Sequence, residues 1–258
     1  MFLSKIKFHF KYLVNEYKYF LRVIFFKKNL RSLTFYISLK FLVDAGFKNL
    51  LYKRKFAKDK KNFIQVMTEK LNLSNDWFSN NITTWAAVFK NNNFSNNNPE
   101  IIEIGSYEGC SAVFFLNYFE NSKITCIETF KGSDEHSKID FKVVKKNFFS
   151  NTKQFNHRIS LYEGTSKSYF NSINKKKKYD LIYIDGSHHY NDVLNDANNS
   201  FKFLNKNGII IFDDFLKKYY KDLKRDPILA ILEFIYKHKK DINIINVGYQ
   251  MIVKKLTN

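Results

Sequence analysis

The chain has 258 residues, 45% hydrophobic and 26% charged, the balance of a soluble globular protein with room for one large core and an appendage. Two cysteines, Cys110 and Cys126, exclude a disulfide framework and point to reduced thiols in a cytoplasmic chain. The net charge of +19 suggests a nucleic-acid partner, but residues 1–61 hold sixteen Lys and Arg against Glu16, Asp44 and Asp59, a net +13, so the charge belongs mainly to one end.

Charges interrupt every apolar run near the N-terminus, and the longest, Ser32 to Leu39, is far below the roughly 20 residues of a membrane span. Neither a span nor a cleavable signal is expected there. On a helical wheel Lys7, Lys11, Lys18 and Arg22 form one narrow stripe, with aromatic and aliphatic side chains over most of the remainder. Two readings follow. Residues 1–30 could make a peripheral contact with the anionic inner membrane face. Alternatively the helix packs on the rest of the chain, or on a second subunit of a homo-oligomer, with its basic stripe in water. Helical patterns around Phe63–Leu71 and Ile82–Phe89 come next, then the polar run Asn91–Asn98 as a loop, with Pro99 opening the following element. A basic, aromatic-rich helical extension is expected over residues 1–75 and the main domain over 76–258.

Ile101–Ile104 predicts a strand running into Gly105, Ser106, Tyr107, Glu108 and Gly109, followed by a helix over Ala112–Tyr118. A strand, a glycine loop and a helix N-terminus make a small-molecule cradle, because glycine allows tight turns and the helix offers free N–H groups. The spacing is not G-x-G-x-x-G, which argues against a pyrophosphate-binding dehydrogenase. A second strand, Lys123–Ile127, delivers Glu128, placed to accept hydrogen bonds from a ribose diol. A polar loop over Phe130–His136, a helix over Phe141–Phe149 and a strand over Ile159–Glu163 ending in Gly164, Thr165 and Ser166 continue the alternation.

Leu181–Ile184 and Ile209–Phe212 are uninterrupted apolar runs, the pattern of strands covered on both faces in a parallel sheet. Val193, Leu194, Ala197, Phe201 and Leu204 recur between them at helical spacing, and Gly208 is expected at a turn. Parallel strands place Asp185, Asp213 and Asp214 on the same sheet edge, where open α/β sheets bind ligands. Carboxylates so crowded share protons or hold a cation; helix capping is the alternative reading. A helix over Pro227–Lys237 and two strands, Ile242–Val247 and Tyr249–Lys254, close the chain as an antiparallel hairpin turning at Gly248.

Together, IEIGSYEGCS at 102–111, Glu128, DLIYIDGSHHY at 180–190 and NGIIIFDDF at 207–215 resemble the class I S-adenosylmethionine-dependent methyltransferases. More narrowly they are similar to the small-molecule O-methyltransferase branch of macrocin-type sugar methyltransferases, with catechol-type enzymes more distant. The resemblance runs from about Asp76 to the C-terminus and implies an α/β, Rossmann-like seven-stranded sheet of order 3-2-1-4-5-7-6 with strand 7 antiparallel. It implies that Glu103, Gly105, Ser106 and Gly109 line the methionine side of the cofactor, that Tyr107, Ser111 and Asp185 join its contacts, that Glu128 holds the ribose and that Thr165 and Ser166 form the adenine-side turn. Asp185, Asp213 and Asp214 match the metal triplet, although catechol-type enzymes carry Asn at the last position.

His188 falls where catechol-type enzymes place a Lys base, so His188 with Asp185 is the expected catalytic pair; His189 and His136 are alternatives. Phe130, Gly132, Ser133, Glu135 and His136 resemble a loop closing over the site, with Phe where that branch often has Trp. The implied reaction is O-methylation of a hydroxylated small molecule, sugar or glycan, assisted by a divalent cation, with Mg²⁺ favoured by all-oxygen ligation. Two other readings stand beside it. One is a non-catalytic, membrane-tethered cofactor-binding module. The other, suggested only by charge, is a nucleic-acid methyltransferase, against which stands the lack of an Asn/Asp-Pro-Pro-aromatic motif, the only prolines being Pro99 and Pro227.

Overall fold

The computed structural model describes residues 2–94, 98–132 and 139–258, with side chains described from His9 onward. Ser133, Glu135 and His136 of the expected closing loop lie outside the described residues. Among those described, strands β1 (Glu100–Ile104), β2 (Lys123–Glu128), β3 (Ile159–Glu163), β4 (Tyr179–Ile184), β5 (Leu204–Phe212), β6 (Ile242–Val247) and β7 (Met251–Lys255) form one sheet of order β3-β2-β1-β4-β5-β7-β6. β1 to β5 are parallel and β7 runs antiparallel to both its neighbours, as the resemblance implied.

The apolar runs of β1, β4 and β5 are unbroken because alternate residues feed two different cores. Ile102, Ile104, Ile182, Ile184, Ile210 and Phe212 face one; Ile101, Leu181, Tyr183, Ile209 and Ile211 face the other. Each buried aliphatic side chain contributes roughly 1.5–3 kcal/mol. The first core is completed by α9 (Tyr190–Phe203) and α10 (Pro227–Lys237), the second by α5 (Ile82–Asn91), α6 (Cys110–Tyr118) and α7 (Phe141–Thr152). A short helix, α8 (Ser166–Ser172), follows β3, with Thr165 as its N-cap.

Gly208 is not at a turn. It lies inside β5, where pairing with β4 jumps from Tyr179–Leu204 to Leu181–Ile209. Asn207 takes the left-handed conformation at φ 65°, and a Cβ at Gly208 would fall 2.7 Å from Leu204 Cδ1, so the glycine serves a bulge. The hairpin connection is also longer than Gly248 alone, since β7 starts only at Met251.

The extension is α1 (Phe2–Phe26), α2 (Arg31–Val43), a π-turn over Asp44–Lys48, α3 (Asn49–Lys55) and α4 (Ala57–Lys70). Tyr19, Phe20, Val23 and Ile24 of α1 are buried, while Lys11, Lys18 and Arg22 are exposed. Phe20 packs against Phe41 and Phe215 with ring centres 5.5 and 6.0 Å apart, and Tyr19 donates to Asp226, the residue preceding α10, at 2.7 Å. Part of the apolar face of α1 therefore lies in protein, while Phe10, Leu21, Phe25 and Phe26 are exposed along with Lys11, Lys18 and Arg22. Tyr19, Phe20, Leu30, Ile37 and Phe41 share the first core with the sheet. The Asp44–Asn49 turn also grips the end of β6: Asp44 accepts the Val247 N–H at 2.9 Å, and Asn49 and Asn246 exchange amide contacts.

Candidate active site

The C-terminal ends of β1, β2, β3, β4 and β5 open on one cleft of about 1710 Å³. Pockets for single small ligands usually measure roughly 300–1,000 Å³, so two molecules can lie here side by side.

At one end the cleft is shaped by main chain. Gly105 has φ 85°, and a Cβ there would sit 2.0 Å from the Asp185 carbonyl oxygen, so only glycine lets β1 leave the sheet so close to β4. Tyr107 takes φ 48° in the same loop. Glu128, at the tip of β2, accepts the N–H groups of Ser106 (3.0 Å), Tyr107 (2.9 Å) and Phe130 (2.8 Å) and so fixes the loop's shape. Ser106, Tyr107, Ser111, Glu128, Thr165 and Ser166 line the cleft.

Glu103 and Gly109 are not in that lining. Glu103 is fully buried beneath the loop, accepts from Ser111 Oγ and lies 3.6 Å from Cys126 Sγ. Burial pushes its carboxyl up to about 7, with partial compensation from its hydrogen bonds. Gly109, at φ 79°, is needed for packing: a Cβ would meet Thr152 Cγ2 at 2.9 Å and Phe148 at 3.1 Å. Asp196 of α9 was not singled out by sequence. It accepts from Ser166 Oγ in the cleft wall, and burial raises its carboxyl to about 7.

The other end is built of side chains. Asp185, His188 and Asp214 offer ligand atoms within 4.8 Å of one another. His188 Nε2 is 3.0 Å from Asp214 Oδ2 and 3.9 Å from Asp185 Oδ1. Asp213, expected as the third metal carboxylate, is not in that group. Its oxygens take the Asp214 N–H at 2.8 Å and the Tyr183 hydroxyl, which also reaches Asp185 at 2.9 Å. One hydroxyl proton cannot serve both acids, and burial, with the Asp185 and Asp214 charges, raises the pKa of Asp213 well above the carboxylate range.

Burial, with the Asp214 charge, also lifts Asp185 to about 6 against the pull of His188. Burial alone would depress His188, but its bonds and charge pairing with Asp185 and Asp214 outweigh that and raise it to about 10. Asp214 is likewise penalised by burial, yet His188 and two tyrosines hold it below the usual range. The cluster thus contains an imidazolium as its internal cation at neutral pH.

Asp214 has φ 53°, a left-handed geometry rare outside glycine, which turns its carboxylate back into the cleft. Tyr219 and Tyr249 both donate to it, and Tyr219 stacks on His188 with ring centres 4.1 Å apart. His189 instead stacks on Tyr220 and lies outside the cleft lining.

Sequence reading missed both tyrosines, and also Gln250 and His9. Gln250 is buried in the wall; its Oε1 accepts the Trp85 indole N–H at 2.7 Å, while its Nε2 has no partner among the described residues. His9, from α1, lines the cleft with Nε2 likewise unpartnered.

Residues 102–215 match the family described as "Methyltransferase domain". An uncharacterized protein, R132, of Acanthamoeba polyphaga mimivirus is 28% identical over 136 residues, which are 53% of this chain and 58% of that protein, so the chain spans little more than half of that relative. Among solved structures, an O-methyltransferase from Bacillus cereus in complex with SAH superposes with a TM-score of 0.53 at 15% identity, over 78% of this chain and 91% of that one. The methyltransferase MycE of the mycinamycin biosynthetic pathway, in complex with Mg, SAH and mycinamycin VI, gives 0.55 at 14% identity over 75% of this chain and 54% of its own. The strand order, with β7 antiparallel, is that of the class I methyltransferase fold, and residues 102–215 are similar to a methyltransferase domain.

Proposed function

We propose that the chain methylates a hydroxyl of a small molecule or sugar, using S-adenosylmethionine and a divalent cation. The observation that carries this reading is the meeting of a main-chain cradle, Gly105 to Tyr107 tied down by Glu128, with the Asp185–His188–Asp214 cluster in one cleft. Glu128 spends three lone-pair sites on the loop and keeps one for a ribose hydroxyl. Asp196 and Ser166 form a polar pair at the adenine end. The cofactor supplies a sulfonium methyl for in-line displacement, so the protein's work is to align the acceptor oxygen and remove its proton.

The donor set suits a hard cation. Asp185 and Asp214 offer carboxylate oxygens, His188 lies between them, and the crowding that raises the Asp213 pKa is the field a positive ion relieves. Mg²⁺ there would lower the pKa of an acceptor hydroxyl. His188 is held protonated by the same two carboxylates, so it becomes a base only when another positive charge takes its place between them. Asp213 and Tyr183 keep Asp185 oriented, and Gln250 Nε2 is free to donate to an acceptor oxygen.

Calorimetric titration with S-adenosylmethionine and S-adenosylhomocysteine, then assay of S-adenosylhomocysteine release from hydroxylated sugar acceptors in Mg²⁺ and in EDTA, tests the reading. Binding with Mg²⁺-stimulated turnover is expected. Absence of cofactor binding would sink the enzyme reading, and equal turnover in EDTA would sink the cation's role.

A further inference from the structure

Residues 31–55 run as one nearly continuous helical rod through α2, the π-turn and α3. One side is buried by Thr34, Ile37, Ser38, Phe41 and Asp44. The opposite side carries Phe35 (51% exposed), then Tyr36 (56%), Leu39, Val43 (61%), Phe47 (65%) and Leu50, from Tyr36 onward three or four residues apart, and uncovered among the described residues. Arg31 opens this stripe four residues before Phe35, and Arg54 closes it four residues after Leu50. The two ends lie about 35 Å apart at 1.5 Å per residue. A continuous apolar stripe of this size marks an interaction surface.

Charge decides what it meets. Of the three acids in residues 1–61, Asp44 is buried beside Lys40 and Lys48, Glu16 meets Lys218, and Asp59 is half-buried. Every charge that is fully exposed on residues 9–61 is therefore positive; the nearest exposed acid, Glu69, lies at the far end of α4. A second copy would set two such basic rims against each other. A nucleic acid would satisfy the rims and leave the Phe, Leu and Val stripe in water. An anionic bilayer satisfies both, with acyl chains for the stripe and lipid phosphates for the arginines. No helix among the described residues is long and apolar enough to cross a membrane, which fits a rod lying in the headgroup plane.

We propose that the outer face of α2 and α3 docks the protein on an anionic lipid bilayer. Leu50 and Lys53 of this rod also line the cleft, beside His9 and Tyr12 of α1. Docking therefore sets the mouth of the cleft at the bilayer surface. Resting on the methyl-transfer reading, the acceptor is then a hydroxylated headgroup presented by a lipid.

The test is co-sedimentation of the full chain with phosphatidylcholine vesicles, with and without phosphatidylglycerol, in the absence of cofactor, so that its failure leaves the methyl-transfer reading standing. The protein should pellet with the anionic vesicles alone. Phe35→Ser with Leu39→Ser and Phe47→Ser should reduce binding about tenfold or more without changing thermal unfolding. If the triple variant is unstable, Phe35→Ser alone gives the reading, with a smaller loss. Arg31→Gln with Arg54→Gln should erase the preference for anionic lipid. Three results would each overturn the proposal: no vesicle binding, binding that the serine variants leave intact, or a dimer in sedimentation velocity that those variants dissociate while vesicles stay unbound. Binding of polyuridylate in place of vesicles would do the same.

Discussion

The two ends of the cleft are made in different ways. The donor end is largely main chain: a glycine loop whose shape Glu128 fixes by accepting the N–H groups of Ser106, Tyr107 and Phe130, with the Ser166–Asp196 pair beyond it. The acceptor end is side chain throughout and gathers residues from β4, β5, the segment after β5, the β6–β7 connection and α1. The first has one stable arrangement. The second is crowded with charge, and burial and neighbouring charges move the carboxyls of Asp185 and Asp213 up and that of Asp214 down. A backbone site fixes the common reagent; a titratable site receives the variable one.

Gly105 is where the two ends touch, and breaking it should produce the largest effect. Gly105→Ala drives a methyl into the Asp185 carbonyl at 2.0 Å in a left-handed backbone, and we expect a loss of about 3 kcal/mol or more in thermal unfolding, together with loss of cofactor binding by calorimetry. Asp214→Asn should separate the ends. Turnover falls on the order of 10³-fold and loses its Mg²⁺ stimulation, while cofactor affinity stays within about twofold; an equal loss of both would mean that the ends are not independent.

Glu103 probes the buried floor beneath the donor end. Its carboxyl rises from an ordinary 4.5 to about 7 on folding, so between those values the unfolded chain binds fewer protons and stability falls as pH rises. The penalty is absent below about 4.5 and complete above about 7. Glu103→Gln should flatten this slope and stabilise the protein above pH 7 by on the order of 3 kcal/mol, read from unfolding midpoints across pH. Glu128→Gln should cost about tenfold in cofactor affinity and leave cation stimulation unchanged. The smallest effect is expected from Gln250→Met, about fivefold in acceptor KM with cofactor affinity unaltered.

The same contrast explains what could be read from sequence. The strands of the sheet were legible because full burial on both faces writes apolar runs such as Ile209–Phe212, and Glu128 was legible because a strand tip fixes where its side chain emerges. Asp185 and Asp214 were legible for that reason too. Asp213 lines the same cleft but stands apart from the Asp185–His188–Asp214 group because adjacent residues at a strand end diverge: one carboxylate meets His188 and the other Tyr183. No local pattern announces Tyr219, Tyr249, Gln250 or His9, whose roles depend on long-range packing. Gly208 read as a turn because a bulge and a turn use the same residue. The rod of residues 31–55 escaped notice because its apolar stripe points outward, against the rule that periodicity marks a buried face.

The grip of the Asp44–Asn49 turn on β6 has a mechanical consequence. Val247 and Asn246, the residues held, are only two to four positions before Tyr249 and Gln250, which reach Asp214 and the cleft wall. The rod and the hairpin tip are thus tied together at a buried carboxylate, and an unbroken run of contacts joins the outer helices to the tyrosine that clamps Asp214.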